Sequence, residues 1–396
     1  MKRAEIARQE NAQNSDDATL SSKAKHRLHL SKDSLYSGKS RLYPGKASIN
    51  FILFLLLVGV LITALFMGRY PIDPVTVVVI VVAGILEWIG NAIASITGLK
   101  IAFFWSIPHT WSTVMDTVVW DVRFPRAVAV ILAGAGLSVS GATYQGVFRN
   151  PLVSESILGV SAGAGVGAAL AILMDQGTSV IQLSAFTFGL LAVGMTFTIS
   201  RVYRSNPTLV LVLAGIIIGS LFSAMISLMK FVADPYSKLP DIVFWLMGSF
   251  AKASKTNFTL VIPVILIAML VIVLLRWQLN VISMGDEEAR SLGIDTRRLR
   301  IVVIVCSTLL TAAAVCIGGV IGWVGLIIPH ISRMLVGPDH KDMIIASILL
   351  GGSYLLAVDT VCRTLTSVEI PISIVTSILG APIFLYLLYK AKKAWS

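Results

Sequence analysis

The chain has 396 residues, 56% of them hydrophobic and only 13% charged, with a formal net charge of +11. A soluble domain carries about 25% charged residues, so water is not the main solvent here. Long apolar runs replace the alternating segments of about ten residues that a membrane barrel would show. The expected fold is therefore an all-α polytopic membrane protein. Its positive charge points to cytoplasmic loops and not to nucleic acid. Cys306, Cys316 and Cys362 fall in or beside apolar runs, without metal-ligand or disulfide spacing.

Residues 1–47 are polar and rich in Ser, Lys and Arg, as in "SSKAKHRLHLSKD". They read as a disordered basic cytoplasmic tail able to touch anionic lipid. Ten spans follow: Ile49–Met67, Ala127–Thr143, Ser156–Leu173, Ile181–Ile199, Thr208–Met229, Phe258–Leu275, Ile301–Ile317, Val320–Met334, Met343–Val361 and Ile372–Leu388. The membrane-spanning body covers 48–390, and 391–396 is a cytoplasmic C-terminus. Within 68–122, an extracytoplasmic segment, "PVTVVVIVVAGILEWIGNAIASI" is apolar but carries Glu87, Asn91 and two glycines. An amphipathic helix on the outer surface is expected there.

Loop charges set the orientation. With the N-terminus inside, the inner loops hold Arg149, Arg201, Arg204, Arg276, Arg290, Arg297, Arg298, Arg300, Arg333 and Lys341. That bias places both termini inside. Lys230, Lys238, Lys252 and Lys255 are outer exceptions. Gly163, Gly165 and Ala168 match G-x-G-x-x-A, but in an apolar helix this pattern serves close helix packing, not a dinucleotide.

No G-x-x-x-x-G-K-[ST] and no H-E-x-x-H occurs, and no acids cluster midway in several spans. A chain that moves cargo uphill without these features draws its energy from a partner. The missing midspan acids argue against the distant alternative, an ion-coupled secondary carrier or channel, and no catalytic constellation for an intramembrane enzyme occurs.

The stretch "MGDEEARSLGIDTRRLR", Met284–Arg300, separates the sixth and seventh apolar runs. Ser283 is placed to cap a helix, with Asp286 three residues on. Asp286, Glu287 and Glu288 fill the first turn, Arg290 lies nearer the end, and Gly293 suits the stop. Asp295 caps a second helix, Thr296–Arg300. Residues 277–300 thus read as two short cytoplasmic helices, with Ala289 and Leu292 as an apolar contact surface. In "GGVIGWVGLIIPHISRMLVG", Pro329 interrupts a span and frees a carbonyl that a neighbour must satisfy. His330 reads as a packed, hydrogen-bonded histidine. Arg123, Arg126 and Arg363 lie at outer ends of spans, either snorkelling to lipid phosphate or docking acidic groups of a partner.

"RFPRAVAVILAGAGLSVSGATYQGVFRNPLVSESILGVSAGAGVGAAL", "GDEEARSLGID", "GGVIGWVGLIIPHISRMLVG" and "EIPISIVTSILGAPIFLYLL" occur in that order. Together they resemble the FecCD-like permease family, membrane subunits of ABC importers for iron–siderophores, haem and vitamin B12. The resemblance covers about residues 50–390 and implies a type II importer architecture. It implies a homodimer in the cytoplasmic membrane, two ABC ATPase subunits that hold ATP and Mg, and an extracytoplasmic binding protein. No cofactor is implied in this chain. Gly285, Asp286, Glu287, Glu288, Ala289, Arg290, Leu292 and Gly293 would form the element that docks in the ATPase. Arg123, Arg126 and Arg363 would meet the binding protein, and Leu213, Ala214, Gly215 and Ser220 would line the path. Trp245 and Gly248 match without an assignable role. The implied cargo is an iron chelate, with haem, cobalamin or an oxyanion as alternatives.

Overall fold

The computed structural model describes residues 45–97, 110–202, 207–252 and 261–395. The tail expected at 1–47 lies outside them up to residue 44. So do residues 98–109 of the outer segment and 258–260 of the sixth span. Every regular element among the described residues is helical. Residues Ile49–Ser396 form one compact unit.

The centre of the bundle is α4, Phe124–Phe148, and nearly every residue from Ala133 to Phe148 is buried. A helix rich in small residues on all sides can be enclosed by neighbours whose backbones come close. Two of them do: α14, His340–Thr364, and α13, Val324–Val336. A Cβ added at Gly134 would sit 2.4 Å from the Gly351 carbonyl oxygen, and one at Gly141 would sit 1.8 Å from that of Gly325. On a third side α4 meets α12, Thr296–Gly318, through Ser140–Thr311 (2.8 Å) and Tyr144–Thr308 (3.0 Å). These hydroxyl pairs satisfy groups that hydrocarbon cannot.

Three further helices pack on one another beside this centre. They are α5, Val160–Leu173, α6, Thr178–Val202, and α7, Pro207–Val232. Gly163 and Gly167 let α5 lie against α6, since Cβ atoms there would meet the Phe188 and Ser184 carbonyls at 2.5 and 2.3 Å. The G-x-G-x-x-A run thus serves helix packing. The remaining helices are α1, Lys46–Phe66, α8, Lys238–Met247, α9, Val261–Leu274, and α15, Ile372–Trp395.

Seven helices among the described residues are long and apolar enough to cross a membrane, and a bent pair makes an eighth. Helices α5, α13 and α15 are shorter apolar candidates. Two starts come later than expected. Helix α5 begins at Val160 instead of Ser156, behind Gly159 at φ +85°. Helix α13 begins at Val324 instead of Val320, behind Trp323 at φ +73°. Left-handed residues break a helix wherever they stand, and hydropathy does not register them. The Trp323 ring is housed by Gly380, where a Cβ would lie 2.7 Å from it.

The awkward segment forms α2, Pro74–Thr97, a continuous helix that also passes the length test for a span. The α4 helix continues backward through a π-turn, Val118–Arg123, into α3, Thr113–Thr117, giving 36 residues in all. At 1.5 Å per residue this rod is about 54 Å long, against a hydrocarbon core of about 30 Å, so one end overhangs. Val77 and Ile80 of α2 pack on Val119 of the π-turn, with Trp120 and Phe124 alongside.

Candidate functional site

One end of the bundle carries the charged stretch. Helix α9 does not run straight into it. The chain bends by 58° at Leu275 and continues as α10, Arg276–Met284. This amphipathic helix buries Leu279, Val281 and Ile282. Ser283 therefore does not start a helix, as its position implied. It lies in the last turn of α10, and its hydroxyl donates to the Asn280 carbonyl at 2.6 Å. The start moves two residues on. Gly285 precedes α11, Asp286–Ser291, and Glu288 folds back over it, its Oε2 1.8 Å from where a Gly285 Cβ would stand.

The stop of α11 is the one expected. Gly293 at φ +77° gives its N–H to the Arg290 carbonyl (2.9 Å), and Ile294 gives its own to Ala289 (3.0 Å). These are the paired bonds of a Schellman stop. Asp295 then caps the next helix, accepting from Arg297 and Arg298 N–H at 3.1 and 3.0 Å. The helix it starts is α12 itself, so no separate short helix occupies 296–300.

Surface and anchor separate within one turn. Glu287, Glu288, Arg290 and Gly293 are exposed. Leu292 is 60% exposed and Met284 69%. Ala289 is fully buried, so it holds α11 down and is not part of a contact surface with Leu292. Asp286 is 34% exposed, and its carboxylate turns toward Arg300 (2.8 Å) and Arg149 (3.8 Å).

Helix α10 is stitched to the start of α14. Asn280 donates to Asp339 Oδ1 at 2.6 Å and accepts the His340 N–H at 2.7 Å, while Arg276 donates to the Lys341 carbonyl at 3.1 Å. Asp339 also caps α14. The sequence reading missed this knot because its members are about sixty residues apart. Pro329 behaves as expected: it removes the N–H that would bond Gly325, and Gln145 Nε2 on α4 reaches that carbonyl at 3.5 Å. His330 is hydrogen-bonded to Leu326 O (3.1 Å) and edge-on to Phe384.

At the opposite end the three arginines are used internally. Arg126 meets Asp359 (2.8 Å) and Glu369 (2.9 Å). Arg123, 5% exposed, donates to the Leu65, Phe66 and Tyr70 carbonyls. Arg363 donates to Ala64 O and lies 3.8 Å from Asp359. They are neither snorkelling nor presented to a partner in this conformation, because the ends of α1 and α14 supply acceptors that sequence distance conceals. Trp245 and Gly248 gain a structural place. Gly248 (φ +78°) accepts from Ile372 N–H, the next residue, Ser249, gives its N–H to Gly318 O, and Gly319 packs on the Trp245 carbonyl.

Helix α7 has two unlike faces. Leu211, Ala214, Ile218 and Phe222 are buried, and a Cβ on Gly215 would lie 2.3 Å from Ile157 O. Leu213, Ile216, Ile217 and Ser220 are exposed. Of the four residues expected to line a path, Leu213 and Ser220 are thus on an open face, whereas Ala214 and Gly215 are packing residues. Ser223 and Ser227 add hydroxyls to the open face, each bonded back to a carbonyl four residues earlier.

Glu155 in the α4–α5 loop is 2% exposed, and its Oε2 has no hydrogen-bond partner. Burial raises its pKa to about 7, against its own backbone N–H, which lowers it. Its sequence signal was a lone acid within "NPLVSESILGV". Among the described residues, no group of three or more His, Cys, Asp or Glu side chains could hold a metal ion.

Comparison with known proteins places these features in a group. The FecCD transport family model matches residues 55–390. The molybdate import system permease protein MolB of Haemophilus influenzae is 39% identical over 345 residues, 87% of this chain and 96% of the relative. A probable iron chelatin transport system permease of Helicobacter pylori is 37% identical, covering 70% and 84%. The cobalamin import system permease protein BtuC of Halobacterium salinarum is 37% identical, covering 78% and 81%. A solved ABC transporter, described as of metal-chelate type and inward-facing, matches with a TM-score of 0.74 and 38% identity. That match spans 87% of this chain and 99% of the other.

Proposed function

Because the chain belongs to the FecCD transport family, we propose that it works as the permease subunit of an ATP-binding-cassette importer for a metal in chelated or oxyanion form. It is a multi-pass protein of the cytoplasmic membrane. One observation carries the mechanism: α11 is a six-residue helix with a Schellman stop, anchored by Ala289, that presents Glu287, Glu288, Arg290 and Leu292 outward. A chain with no phosphate-binding loop needs such a surface to receive work from an ATPase. Helices packed backbone to backbone, as α4 is on α13 and α14, shift as rigid bodies when pushed.

The proposed assembly has two copies of this chain, two ATPase subunits holding ATP and Mg, and a binding protein on the outer face. Both termini are inside, which puts α11 in the cytoplasm. The open face of α7, with Leu213 and Ser220, would line the path between the copies. An acid of the binding protein would reach Arg126 by replacing Glu369.

For the cargo, an iron chelate is the first reading. Molybdate is the second, favoured by the relative that aligns over 96% of its own length. The test is uptake into proteoliposomes containing the permease and the ATPase that co-purifies with it, with ferric chelate and molybdate offered separately. Uptake of neither, or uptake without ATP, overturns the reading. Substitution of Glu288 or Arg290 with no loss of uptake would remove α11 from the coupling surface.

A further inference from the structure

The coupling helix must hold its partner on one side and the bundle on the other, and the two duties fall on different residues. Arg300 Nη2 donates to both oxygens of Asp286, at 2.8 and 3.2 Å, and is itself only 17% exposed. Arg149 Nη2 lies 3.8 Å from the same carboxylate. Arg300 belongs to α12, and Arg149 ends α4 in a left-handed conformation at φ +50°. These two helices are bonded deep in the bundle through Ser140–Thr311 and Tyr144–Thr308. Asp286 and Ala289 are three residues apart, on one side of the turn, and that side faces the bundle. Helix polarity does not require Asp286, because Glu287 and Glu288 already place acids in the first turn.

We infer that Asp286 is a positioning residue: it ties the coupling helix to α4 and α12, so that a push on α11 is delivered to the bundle's central helices, and it does not contact the ATPase. The inference rests on the proposed importer function and divides its coupling element into a partner face and an anchor.

Asp286→Asn, Asp286→Glu, Arg300→Gln and the double variant Asp286→Asn/Arg300→Gln are made in the full chain. Each is reconstituted with the ATPase that co-purifies with the wild-type permease. Asp286→Asn lowers cargo moved per ATP hydrolysed by about fivefold, the low end of measured site-to-site couplings, while ATPase association stays at the wild-type level. Asp286→Glu restores the ratio. Arg300→Gln reproduces the loss, and the double variant is no worse than either single one, as expected for one shared interaction. A second measurement needs no ATPase: amide hydrogen exchange over 286–294 in the permease alone becomes faster in Asp286→Asn. An unchanged transport ratio, an equal loss of ATPase association, or unchanged exchange overturns the inference. If the wild-type permease holds no ATPase at all, the importer reading fails, and hydrogen exchange still decides the anchoring.

Discussion

Arg126 and Glu369 form a two-pronged ion pair across 243 residues, with Nη1–Oε1 and Nη2–Oε2 both at 2.9 Å. The rest of the same guanidinium is bonded to Asp359, which is 1% exposed. The two acids are not equivalent, because Glu369 is 29% exposed. Arg126→Ala leaves the buried Asp359 carboxylate with only Arg363, 3.8 Å away, a loss of about 3 kcal/mol. Glu369→Gln keeps a polar group at a partly wet site and costs about 1 kcal/mol. Thermal unfolding in detergent therefore ranks Arg126→Ala well below Glu369→Gln. Equal shifts would mean that Asp359 does not depend on Arg126.

Two loop acids respond to pH in opposite senses. Glu155 has its pKa raised by burial to about 7, so the folded state binds the extra proton. Stability is greatest below the ordinary glutamate range and falls as pH climbs from about 4.3 through 7. Burial also opposes the charge on Glu369, but the bonds and charge of Arg126 outweigh it and hold that pKa below the usual value. Its contribution is present above the ordinary range and lost as pH falls through the folded value. Melting temperature in detergent at pH 5, 6.5 and 8 separates them: Glu155→Gln removes the alkaline decline, and Glu369→Gln does not.

Glycine contacts in α4 give a paired test. Gly141→Ala would place a methyl 1.8 Å from the Gly325 oxygen, which is backbone and cannot step aside. At Gly136 the nearest atom to a new Cβ is 3.7 Å away, and alanine is the better helix former there by about 1 kcal/mol. Folded yield and melting temperature should drop sharply for Gly141→Ala and hold or rise for Gly136→Ala. A tolerated Gly141→Ala would show that α4 and α13 are not in backbone contact.

The outer-surface placement expected for α2 predicts its accessibility. Single cysteines replacing Glu87 and Ser95, in a background without Cys306, Cys316 and Cys362, should both react with a membrane-impermeant maleimide added outside. The native cysteines are buried, so their removal serves only to clear the background. Protection of position 87, with position 95 labelled only from the inside, would make α2 a membrane span and change the orientation of everything after it.

Much of the Met284–Arg300 stretch was legible because its signals are local. Gly293 stops α11 and Asp295 caps α12 through bonds spanning two to five residues. The misplaced start shows the limit of such signals. Ser283 is a good capping residue, but burial of Leu279, Val281 and Ile282 carries α10 past it. In the same way, the identity of Arg126 as an outer arginine was readable, and its partners, 233 and 243 residues away, were not.

By itself the sequence determined that the chain belongs in a bilayer, where most of its apolar helices lie, and that it carries no phosphate-binding loop. Those properties follow from hydrophobicity and from residue types a few positions apart. Only the tertiary structure decided which face of α7 stays open and where α9 bends. It also decided that Asp286 and Arg126 are held from inside the bundle. A helical period shows that a helix has faces, but burial and ion pairing depend on which distant segments meet them.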